Sequence, residues 1–68
     1  MELKVNGTPE RVEPAITLAC LLAERRITEA TAGVAVAVNL AVVPKRMWPQ
    51  TTLAEGDSVE IINAVQGG

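Results

Sequence analysis

Valine and alanine alternate through Val34-Ala35-Val36-Ala37-Val38 with no polar residue among them. The β-branched valines favour extended backbone. A strand with no polar face is covered on both sides, or is covered on one and meets a partner on the other. The rest of the chain must therefore supply a sheet and a covering layer. It has little with which to do so, because 68 residues make one small domain. A chain of this size buries only about 60% of its unfolded surface. Cys20 is the sole cysteine, so no internal disulfide reinforces the fold.

The neighbouring segments read as the missing strands and one helix. Met1-Glu2-Leu3-Lys4-Val5 alternates apolar and polar residues, the pattern of a half-buried strand. Asn6-Gly7 follows, and this dipeptide suits a two-residue hairpin because both residues tolerate positive φ. Arg11-Val12-Glu13 reads as the return strand, at a sheet edge because Pro9 cannot donate a ladder hydrogen bond. Thr17 is a good helix N-cap, with Ile16 and Leu21 at hydrophobic-staple positions. The spacing predicts a helix over 18–26, with Leu18, Leu21, Leu22 and the Arg25 stem on one face. Arg25 and Arg26 then fall in its last turn. Ile27 to Gly33 is a connector, Asn39-Leu40 a turn, and Ala41-Val42-Val43 a short strand stopped by Pro44. Lys45 to Trp48 reads as one helical turn between prolines. Glu55-Gly56-Asp57 is a turn leading into a last strand over about Ser58 to Ala64. The expected fold is α+β: one main helix across a mixed four- to five-stranded sheet, with the first and last strands parallel neighbours at its centre.

Composition narrows the function. The net charge is −2, the six basic residues form no long run, and Trp48 is the only aromatic residue. Nucleic-acid binding, which wants a basic stripe and stacking aromatics, is disfavoured. One thiol and no histidine cannot build a metal site. The lone cysteine suits a reducing cytosol, and no signal peptide or membrane-spanning run is visible, so a cytoplasmic protein with no membrane partner is expected. Cys20, within the helix, reads as a buried structural thiol. Trp48 reads as a cover over the end of the core, and Lys45 and Arg46 as a solvated corner. No nucleophile stands with a base, so a stand-alone enzyme is the weakest reading.

The chain ends on Gly67-Gly68. Two residues without side chains can thread a slot closed to others, and the only reactive group they offer is the terminal carboxylate. That carboxylate is ionised at neutral pH and is a poor electrophile. The expected division is a folded domain over 1–64 and a flexible tail over 65–68. Fully extended, Val65 to Gly68 reach about 13–14 Å. Ordering four residues costs roughly 4–8 kcal/mol, so a docking surface on the body is expected as well. Alternation along the last strand turns Glu60, Ile62 and Ala64 to one side. Ile62 and Ala64 are the expected apolar centre of that surface, with Ala35 and Ala37 extending it.

Val36-Ala37-Val38-Asn39, Val43-Pro44-Lys45 with Trp48, Gly56-Asp57 and Gly67-Gly68, in that order and spacing, resemble the ThiS family. These are ubiquitin-like β-grasp sulfur carriers of thiamine (thiazole) biosynthesis, and the resemblance covers the whole chain. It implies a protein cosubstrate with no bound cofactor. A ubiquitin-activating-type enzyme would use ATP to adenylate the Gly68 carboxylate. A persulfide derived from a cysteine desulfurase would convert it to a thiocarboxylate, and thiazole synthase would take the sulfur. Val65, Gln66 and Gly67 would thread the partner's active site. Two other readings stand beside it. The small subunit of molybdopterin synthase shares fold and tail, but usually carries a proline-containing segment before the glycines, which Ile62-Asn63-Ala64-Val65-Gln66 lacks. A β-grasp interaction module with an incidental glycine end is the other.

Overall fold

A computed structural model describes residues 1–63 of the chain. Its five-stranded sheet has the order β2-β1-β5-β3-β4, and a single α-helix packs on one face. Strand β1, Glu2–Val5, buries Leu3 and Val5 and exposes Glu2 and Lys4. The hairpin turns at Asn6 (φ 52°) and Gly7 (φ 83°), both positive as a type I′ turn requires.

The return strand β2 is Thr8–Arg11, three residues earlier than Arg11-Val12-Glu13. Ladder parity explains the difference. Val5 opposes Thr8 and Leu3 opposes Glu10, so Lys4 and Pro9 form the intervening pair. At that pair the missing Pro9 amide faces away from β1, and the proline sits on the edge strand without breaking a bond. The edge placement holds as expected.

Helix α1 spans Leu18–Ala23, with the Thr17 hydroxyl accepting from the Cys20 amide at 3.2 Å. Leu18, Leu21 and Leu22 are fully buried. Each contributes about 1.5–3 kcal/mol from burial. The helix ends short of residue 26 because Arg26 takes the left-handed conformation (φ 63°). The Arg26 amide donates to the Ala23 carbonyl (2.9 Å) and the Ile27 amide to the Leu22 carbonyl (3.0 Å), the paired bonds of a Schellman closure. Arg25 and Arg26 therefore lie past the helix, and Arg25 forms an ion pair with Glu10 of β2.

Strand β3, Val34–Val38, falls on the expected residues. It turns at Asn39-Leu40 into the two-residue β4, Ala41–Val42. A 3₁₀ helix, Lys45–Gln50, runs through Pro49 instead of stopping before it. It carries Trp48, 2% exposed, over the end of the core, and the indole donates to the Val43 carbonyl at 3.0 Å. The start of α1 is pinned to the following segment: the Leu18 amide donates to Thr51 O (2.8 Å) and the Leu53 amide to Ile16 O (2.9 Å). Strand β5, Ser58–Asn63, lies between β1 (parallel) and β3 (antiparallel). The expected parallel pairing of first and last strands is present at the middle of the sheet.

Candidate functional site

Strand β5 is the element that leads to the chain end. Ala64, Val65, Gln66, Gly67 and Gly68 lie outside the described residues, so the site's geometry is that of the strand and of the sheet face around it. Val59 is fully buried under α1, whereas Glu60 and Ile62 point to the opposite, open face. Ile62 is 54% exposed, as a docking residue needs. Ala35 lies directly opposite it in β3 and is exposed too.

Ala37 does not join that exposed face. It shares the face, but it is buried at 5% exposure. Its register neighbours are Glu60 on one side and Val42 on the other, and a methyl group between two longer side chains is covered by them. The open face has apolar members that the sequence reading passed over. Val42 is 71% exposed, and Leu40, at the tip of the β3–β4 hairpin, is 88% exposed. Pairing Ala37 with the residue two beyond the turn would have found Val42.

Two asparagines hold β5 from opposite sides. Asn39 accepts from the Ser58 amide (3.0 Å) and donates to Asp57 Oδ1 (3.0 Å), while its own amide donates to Ser58 O (2.8 Å). Asp57 in turn accepts from the Ala54 amide (2.8 Å), which rigidifies the Glu55-Gly56-Asp57 turn. Asn6, on the other side, donates its amide to Val59 O and accepts from the Ile61 amide through its side chain, both at 2.8 Å. Asp57 is thus turn chemistry, as expected.

Two other residues differ from expectation. Cys20 is exposed. The inward stripe of α1 is Leu18, Leu21 and Leu22, and position 20 lies off it. Lys45 is a clamp: its ammonium donates to the Thr31 carbonyl (2.6 Å) and the Glu29 carbonyl (3.3 Å) and ties down the connector before β3. Arg46 stays exposed.

Among the described residues no three His, Cys, Asp or Glu side chains gather as a metal site. A shallow, open depression at the β2 edge, lined by Met1, Arg11, Val12, Glu13, Pro14 and Glu24, offers no nucleophile. No helix among these residues is long and apolar enough to cross a membrane. What the arrangement offers is a strand hydrogen-bonded by asparagine side chains on both sides, with an apolar face beside it.

The ThiS family model matches residues 3–68. The crystal structure of the thiamine biosynthesis protein ThiS from Geobacter metallireducens superposes with a TM-score of 0.81 at 32% identity, covering 100% of both chains. A solution structure of a thiamine biosynthesis protein from the same organism gives 0.77 at 33% identity, covering 100% of this chain and 88% of that one. A thiazole synthase from Paramagnetospirillum magneticum is 34% identical over all 68 residues. The chain spans only 20% of that synthase's length.

Proposed function

From the premise that this chain belongs to the ThiS family of sulfur carriers, we propose that its Gly68 carboxylate is the atom group on which sulfur is loaded. The observation that carries the reading is the family match running to residue 68, through both terminal glycines. The carboxylate attacks the α-phosphorus of ATP on a ubiquitin-activating-type enzyme, and pyrophosphate leaves. The acyl-adenylate presents a good leaving group where the ionised carboxylate had none. The outer sulfur of a cysteine-desulfurase-derived persulfide attacks the acyl carbon, and AMP departs. A thiol then reduces the resulting S–S bond and is itself oxidised, leaving a thiocarboxylate on Gly68. The sulfur then passes to the substrate held by thiazole synthase, and water supplies the oxygen that restores the Gly68 carboxylate. A carrier-like region within the Paramagnetospirillum synthase supports this choice of acceptor over molybdopterin synthase.

The carrier's own residues present and position. Val65, Gln66 and Gly67 lead the carboxylate into the partner's site, and Ile62, with Ala64 beyond it, forms the apolar centre of docking. Exposure of Ile62 beside Ala35 supports the docking role.

Intact mass tests the reading. The full chain, incubated with its activating enzyme, ATP and a sulfur source, gains the mass difference of sulfur for oxygen, and deletion of Gly68 abolishes the gain. An unchanged mass with a competent activating enzyme leaves an interaction module instead. Ile62→Asp keeps the fold, with a stability change within about 0.5 kcal/mol. It weakens binding to the adenylating enzyme about tenfold or more by titration calorimetry. Loss of fold in that variant would contradict the surface role.

A further inference from the structure

We propose that the β1 side of β5 at Ile61–Asn63 is an open strand edge on which an extended segment of thiazole synthase pairs, parallel to β5. The proposal rests on the carrier reading above and names where the acceptor holds the strand.

Ladder parity carries it. The bond from the Asn39 amide to Ser58 O sets the alternation: Ser58, Glu60 and Ile62 turn their main-chain groups to β3, and Val59, Ile61 and Asn63 turn theirs to β1. But β1 ends at Val5. Val59 O is met by the Asn6 amide, and the Ile61 amide is met by the Asn6 side chain, which takes the place of the next backbone carbonyl. Beyond that point the ladder stops. Among the described residues, neither the Ile61 carbonyl nor the Asn63 amide has a hydrogen-bond partner.

The two free groups suit a partner strand parallel to β5. In a parallel pair, one residue donates to the carbonyl before its opposite residue and accepts from the amide after it. Ile61 O and Asn63 N–H are that pair of groups, flanking Ile62. An antiparallel partner at Ile61 would need its amide, which Asn6 already holds. The added strand therefore continues the line of β1.

Thiazole synthase is the occupant because a region like this entire chain forms 20% of a protein of that name. The edge is also continuous with the proposed docking face: Ile62, between the two free groups, is its exposed centre. A strand fixed at Asn63 leaves Ala64 to Gly68, about 17 Å when extended, to reach the acceptor.

Asn63→Pro in the full chain tests this, with Asn63→Ala as its partner. Asn63 opposes Val34 at a pair that exchanges no hydrogen bonds with β3, so proline there removes only the outward amide. Binding to purified thiazole synthase falls about tenfold in Asn63→Pro and stays within twofold in Asn63→Ala. Circular dichroism and sulfur loading remain at the wild-type level. Equal binding by the two variants overturns the edge while leaving the carrier reading intact. Wild-type chain that takes up no sulfur overturns the carrier reading itself. Amide exchange of the unmodified chain keeps the test sharp should the proline variant unfold: the Asn63 amide slows at least about tenfold on adding the synthase, and an unchanged rate overturns the proposal. A wild-type dimer abolished by Asn63→Pro, with synthase binding unaffected, assigns the edge to a second copy and overturns it as well.

Discussion

The two hairpins of this chain make the same turn with different residues. Asn6-Gly7 joins β1 to β2 with φ values of 52° and 83°; Asn39-Leu40 joins β3 to β4 with 51° and 73°. In both, the first residue is an asparagine whose side-chain oxygen accepts from a β5 amide, Ile61 for one and Ser58 for the other. The first position thus does a shared job, locking the central strand from either flank. The second position differs. Glycine takes positive φ without a steric penalty, whereas a leucine there costs about 1–2 kcal/mol. Leu40 is also 88% exposed, so burial does not offset that cost. The contrast teaches that one turn is built for the fold alone and the other carries a residue the fold does not need.

The largest expected effect comes from the shared position. Asn39→Ala loses the acceptor for the Ser58 amide and the donor to Asp57, and it places alanine at φ 51°. The expected loss is about 2–3 kcal/mol in urea unfolding. A loss under about 0.5 kcal/mol would mean that the clamp on β5 is idle and the hairpins differ at both positions. Next comes Gly7→Leu, which makes the first hairpin resemble the second. A Cβ at Gly7 meets no atom within 4 Å, so only backbone strain acts. After allowing for the reduced freedom of the unfolded chain, the net loss is about 1 kcal/mol. A larger loss would show that side-chain crowding, absent at Leu40, separates the two turns.

Which parts of this molecule could be read before folding follows from how local their causes are. Val34–Val38, both two-residue turns and the Thr17 cap depend on neighbours within a few residues, and they fall as the pattern implies. The start of β2 depends on which way the Pro9 nitrogen faces, and that is set by register with β1. The early end of α1 depends on Arg26 adopting positive φ, which its residue type does not advertise. The exposure of Cys20 was legible in the spacing of Leu18, Leu21 and Leu22, had the stripe been weighed above the ordinary burial of cysteine. At the candidate site, alternation assigned Ile62 and Ala35 to the open face correctly. It could not show that Glu60 and Val42 cover Ala37, because that takes three strands side by side. The Asn6 bond to Ile61 spans 55 residues and has no local signature at all.

The smallest effect is the one of opposite sign. Leu40→Gly converts the second hairpin into the first, relieving positive φ at a residue that buries almost nothing. The relief of about 1–2 kcal/mol is partly cancelled by the greater freedom of glycine in the unfolded chain. A gain of about 0.5–1 kcal/mol remains, which raises the melting temperature by a few degrees in a domain of this size. Thermal unfolding followed by circular dichroism measures it. A fall in melting temperature would show that Leu40 packs against the body in solution, and the contrast between the hairpins would collapse into ordinary core packing. A rise, with the Asn39 contacts to β5 unchanged, leaves Leu40 as an apolar side chain held outward at a cost to the free protein.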